Sequence, residues 1–156
     1  FKMYEVAKSF TAERAGIDNT PSPQVLARAL TLAIYVLQPI RDHYDRPIRP
    51  TSWYRGEELE KLVTQKAFEA WKKKHGYRWW HWNAWNDYFA RKSHPKGEAT
   101  DVEVVGVSND DLFEWCRDNL EFDQLIREAA VEGDPMSGWV HISYHAEHNR
   151  NQAFSL

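Results

Sequence analysis

Two stretches constrain this chain more than any others: His94-Pro-Lys-Gly97-Glu-Ala99-Thr-Asp101 and, well downstream, Trp139-Val-His141-Ile-Ser143. Two imidazoles and a carboxylate are the nitrogen and oxygen donors a catalytic zinc takes, with one position kept for water. Any fold that uses them must bring the loop before one strand and the middle of a later strand to one place. Asp101 and Glu103 alternate with Val102 and Val104, as in a strand with one polar and one apolar face. His141 shares its parity with Trp139 and Ser143, so pairing the two strands points His141 and Asp101 into one cleft. His94 arrives from the preceding loop, where Gly97 permits a tight reversal. Taken singly, each residue also fits an ordinary place: His94 in a surface loop, Asp101 as a strand-edge carboxylate, His141 as a packed core histidine.

At 156 residues and 42% hydrophobic, the chain suits one domain over 1–156 with a single core. A formal charge of -3 provides no basic field, so no nucleic-acid partner is expected, and the protein is expected to be a monomer. Cys116 is the single cysteine, which excludes an internal disulfide and fits helix packing better than chemistry. No apolar run reaches the ~20 residues needed to cross a bilayer.

Helices dominate the first half. Ser22 and Pro23 open one as N-cap and first helical residue, and Pro39 is expected to end or kink it near 36–38. Residues 1–20 read as irregular, anchored by Phe1, Tyr4, Val6 and Phe10. Pro47 and Pro50 limit Ile48 to Ser52 to an edge or bulged strand. Glu57 to Lys74 reads as an amphipathic helix burying Leu59, Leu62, Val63, Ala67, Phe68 and Trp71, and the spacing of Trp82, Trp85 and Phe89 predicts a short second one. Strands are then expected at 98–107, 122–127 and 139–144, with a helix capped by Ser108 between the first two and a turn at Glu132-Gly133-Asp134-Pro135. The fold class is α+β: helices packed on a small antiparallel sheet that carries the polar site.

His-x-x-Gly-x-Ala-x-Asp followed by Trp-Val-His-Ile-Ser resembles the zinc D-Ala-D-Ala carboxypeptidase family of phage and bacterial peptidoglycan peptidases, which has the hedgehog-type fold. Val36-Leu-Gln-Pro-Ile-Arg41-Asp, Thr51-Ser-Trp-Tyr-Arg55, Phe122-Asp-Gln-Leu-Ile126 and Asn149-Arg150 resemble family segments in the same order. The resemblance implies zinc (Zn2+) held by His94, Asp101 and His141, a metal that acidifies water toward a pKa of ~7 and polarises the scissile carbonyl. It implies Arg55 on the substrate side, clamping a carboxylate or an oxyanion; the plainer alternative for Arg55 is a surface ion pair with Glu57 or Glu58.

The chain departs from its apparent relatives at three places. Lys92 stands where many carry serine, and Gly138 where many carry an acid three residues before the last histidine. The general base is therefore expected at Glu128, with Asp134 as the alternative; His145 and His148 are either transition-state stabilisers or exposed. A Trp-rich insertion at about 64–91 is either a wall of the cleft that stacks on glycan rings, with Lys72, Lys73 and Lys74 attracting an anionic polymer, or a satellite core. The expected activity is hydrolysis of a peptide bond in the peptidoglycan stem peptide or cross-link, as a carboxypeptidase or endopeptidase of a phage lysis system. The alternative is a non-catalytic wall-binding or virion structural module of the same fold. Phe1-Lys-Met-Tyr4 shows no signal-peptide pattern, so delivery to the bacterial wall by another factor or on a virion is expected.

Overall fold

The structure, a computed structural model, describes residues 2–78 and 83–156. Its elements run α1 (Met3–Ala7), α2 (Phe10–Ala15), α3 (Pro23–Leu32), a π-helical turn (Ala33–Leu37), α4 (Gln38–Tyr44), β1 (Ile48–Ser52), α5 (Glu57–Lys74), α6 (Ala84–Phe89), a 3-10 turn (His94–Lys96), β2 (Ala99–Val104), α7 (Asn109–Asn119), β3 (Gln124–Glu128), β4 (Trp139–Ser143) and β5 (Gln152–Ser155). The strands form one sheet in the order β1-β2-β4-β3-β5. The class is α+β, as expected, but the sheet is mixed: β5 joins β3 in parallel, whereas the other pairings are antiparallel. All four β5 residues are exposed, so no burial alternation marked that strand in the sequence.

One sheet face makes the core. Val102, Leu125, Val140 and Ile142 are fully buried and join Leu32, Val36, Leu37, Ile40, Leu112 and Cys116 from the helices. Each such side chain contributes about 1.5–3 kcal/mol by leaving water. The polar row on the other face is thus set by the packing of the apolar one.

Three helical expectations need correction. Near Pro39 the helix is interrupted without ending: Gln38 N–H bonds back to the Ala33 carbonyl in a π turn, and the chain continues helically through Pro39. Pro39 then lies in the first turn of α4, where a missing N–H costs nothing. Residues 1–20 contain two short helices; Val6 is buried, but Tyr4 and Phe10 are exposed, and Phe1 lies outside the described residues. On α5, Leu62, Val63 and Ala67 are exposed, while Glu60 is buried beside Leu59.

The Trp-rich segment packs on itself. Phe68 and Trp71 of α5 meet Tyr88 with ring centroids 5.1 and 5.4 Å apart, and Phe68 meets Trp85 edge-on at 5.2 Å. These contacts form a satellite core within the described part of the segment; Trp79, Trp80 and Trp82 lie outside the described residues.

Between β3 and β4 the chain turns through Gly138, whose φ is +59. A Cβ there would sit 1.9 Å from the Glu128 carbonyl oxygen, so no side chain fits at this position. Gly138→Ala is expected to lower the unfolding free energy by about 3 kcal/mol or more, read by urea denaturation; unchanged stability would contradict this packing.

Candidate metal centre

The β2–β4 register sets Asp101 directly opposite His141, and β3 adds Ile126 to the same row. Directly opposed residues share a face, so the next row brings Glu128 beside Trp139 on that face. His94 enters from its 3-10 turn, which ends at Gly97 with φ +77. A Cβ on Gly97 would lie 2.6 Å from the Val25 backbone oxygen, so glycine is what lets this turn press against α3.

Three donor atoms converge. His141 Nδ1 is 3.0 Å from Asp101 Oδ1 and 3.2 Å from His94 Nε2, and His94 Nε2 is 3.4 Å from Asp101 Oδ1. Tetrahedral zinc with bonds of 2.0–2.1 Å requires donors about 3.3 Å apart. The triangle therefore has the size of one face of such a site. His94 is buried, and its Nδ1 lies 2.6 Å from the Trp53 carbonyl. A carbonyl only accepts, so Nδ1 carries the hydrogen and Nε2 keeps its lone pair toward the other two donors.

The electrostatics suit this arrangement. Burial pulls the His94 pKa down from 6.5 to about 4, which leaves the ring neutral at pH 7. Burial works against the charge on Asp101, but the facing His94 and His141, through charge and hydrogen bonds, hold its carboxyl well below the usual range. His94, Asp101 and His141 fit a divalent cation in donor type, protonation and spacing.

Two further carboxylates face this triangle. Glu128 is pushed up chiefly by burial, opposed by His141 and reinforced by Asp101, with Arg55 and Lys92 also acting on it. Glu60 is pushed up by burial and opposed by Arg55 and Lys92. Arg55 lies between the two groups, with Nε 3.4 Å from Glu60 Oε2 and Nη2 3.8 Å from Asp101 Oδ2. Its carboxylate partner is thus neither Glu57 nor Glu58; Glu57 pairs with Lys61 and Trp85 instead. Lys92 holds its ammonium 4.1 Å over the Tyr88 ring.

Asp134 is placed elsewhere. It is exposed in the turn before β4, where its Oδ1 accepts from Met136 N–H at 3.0 Å. His145 is also away from the triangle, its two nitrogens 3.0 Å from Glu98 and 3.3 Å from Asp123, and His148 is exposed. Glu60 is the residue that sequence reasoning missed. It carried a signal: residues 60, 64, 67, 68 and 71 form one helical stripe, and a lone acid heads an otherwise largely apolar face.

No family model matches the chain, and no curated protein sequence does. Among solved structures, the chain is similar to a vancomycin-resistance D,D-pentapeptidase, a VanY mutant from a VanB-type resistance cassette in complex with Zn(II). The identity is 16%, the match covers 80% of this chain and 72% of that one, and the TM-score is 0.39. Among the described residues, no helix is long and apolar enough to cross a membrane.

The neutral, buried His94 has a consequence for stability. Between pH 6.5 and about 4, the unfolded chain binds a proton at this position that the metal-free folded chain refuses. The contribution of His94 to stability therefore falls as pH drops through that window, and the depressed Asp101 adds loss in the same direction at still lower pH. Glu60 and Glu128, both pushed up by burial, act in the opposite direction as pH falls. Urea unfolding in chelator is therefore expected to show wild type losing on the order of 2 kcal/mol more than His94→Gln between pH 7 and pH 4.5. An identical slope in the variant would contradict a neutral, buried imidazole.

Proposed function

We propose that this protein is a zinc-dependent peptidoglycan peptidase that hydrolyses a peptide bond of the bacterial stem peptide or its cross-link. The observation that carries the metal half is the 3.0–3.4 Å triangle of His94, Asp101 and His141 on a rigid sheet. The substrate half is supported by the motif resemblance, which runs through the arginine segment, the zinc loop and the final histidine strand in order.

Zinc in that triangle would polarise a scissile carbonyl and lower the pKa of water to about 7. Glu128, raised by burial and drawn on by His141, is suited to take the proton of the attacking water and pass it to the leaving amine. Two elements displace the acid from the position before His141. Gly138 admits no side chain, and the chain places Glu128 on the adjacent strand instead. Arg55 presents a guanidinium beside Asp101 that can receive a developing oxyanion or a peptide carboxylate. A divalent ion would add positive charge beside Arg55 and Lys92, where Asp101 faces them with two carboxylates, Glu60 and Glu128, that burial pushes toward the neutral form. An anionic peptide segment suits that field. In this reading the protein works at the bacterial wall as part of a phage lysis system, brought there by another factor or on a virion.

Mass analysis of muropeptides released from purified sacculi, with and without a chelator, tests the proposal. Chelator-sensitive release of shortened or un-crosslinked stems is the expected result. Zinc binding with no released product would mark a wall-binding or virion structural module instead.

Glu128→Gln is expected to retain zinc while lowering kcat about 10²–10⁴-fold. Asp134→Asn is expected to leave the rate within about twofold, since surface changes of this kind are small. A wild-type rate in Glu128→Gln would remove Glu128 as the base.

A further inference from the structure

Glu60 is only 1% exposed, yet it ligates nothing in the triangle and α5 could pack there with an apolar residue. A carboxylate is costly to bury without a cation, and the cations acting on it are Arg55 and Lys92. Arg55 is the closer tie, with Nε 3.4 Å from Oε2, although neither atom meets hydrogen-bond alignment. Nη2, next to Nε on the same edge of the guanidinium, lies 3.8 Å from Asp101 Oδ2. Asp101 Oδ1 is the oxygen that faces His94 and His141. The two oxygens of Asp101 are thus divided between a cation on one side and the donor triangle on the other.

We propose that Glu60, acting through Arg55, is a positioning residue for the metal ligand Asp101. Glu60 anchors the guanidinium at Nε so that the neighbouring Nη2 stays beside Oδ2 and leaves Oδ1 alone for the metal. A guanidinium can span two carboxylates in this way and an ammonium cannot. Partners of a ligand carboxylate orient it, and losing one costs affinity for the metal. The inference rests on the metal-centre reading above.

The test measures zinc affinity by chelator competition, together with the visible spectrum of the cobalt(II)-substituted protein, for wild type, Glu60→Gln, Arg55→Lys and the double variant. Wild type is expected to bind one ion per chain. Each single variant is expected to bind about 10–100-fold more weakly. The double variant should be no weaker than the worse single one, because both break the same relay. Cobalt bands should weaken in the variants as Asp101 gains freedom to bind through both oxygens. If Glu60→Gln yields little folded protein, Arg55→Lys decides the matter, since it keeps a cation next to Glu60. Wild-type affinity and spectrum in either single variant would overturn the proposal, as would strictly additive losses in the double. Failure of the wild-type protein to bind zinc at all would instead overturn the metal-centre reading itself.

Discussion

The antiparallel register that places Asp101 opposite His141 is the constraint on which the rest of the molecule depends. It is enforced from the other side of the sheet. Val102, Val140, Ile142 and Leu125 are fully buried, and a one-residue slip of β4 would turn its two apolar residues to the polar face and His141 into the core. The core therefore aligns the site, and the site need not stabilise its own geometry.

That division explains why the polar face can collect charges that are unfavourable together. Asp101, Glu60 and Glu128 are all at least partly withdrawn from water, with Arg55 and Lys92 as the facing cations. Such a cluster costs several kcal/mol in its own right unless positive charge is added. A divalent ion at His94, Asp101 and His141, as proposed, would supply it, and His94, kept neutral by burial with Nδ1 fixed by the Trp53 carbonyl, has Nε2 free to take part. The rigid Gly138 and Gly97 turns complete the arrangement by admitting backbone where side chains would block it.

Much of this was legible in the sequence because it follows local periodicity. The alternation around Asp101 and His141, the Ser22 and Ser108 caps and the proline-limited edge strand all appear where the pattern places them. What escaped depended on distant partners. β5 has no buried residue to betray it and takes its place only by pairing with β3. Pro39 passes inside a helix because a π turn upstream shifts the hydrogen-bond register. Glu60 was hidden since helix charge is ordinarily solvent-facing, and only the tertiary position of Arg55 makes its burial sensible. Of the two acids the sequence offered as the base, Glu128 lies on the strand beside the triangle and Asp134 in an exposed turn away from it.

The most direct measurement is anomalous diffraction at the zinc edge from crystals grown with the metal. A single strong peak is predicted within about 2.0–2.2 Å of His94 Nε2, Asp101 Oδ1 and His141 Nδ1 together. A peak at any other donor set, or none at saturating zinc, would contradict the assignment of these residues as a metal centre.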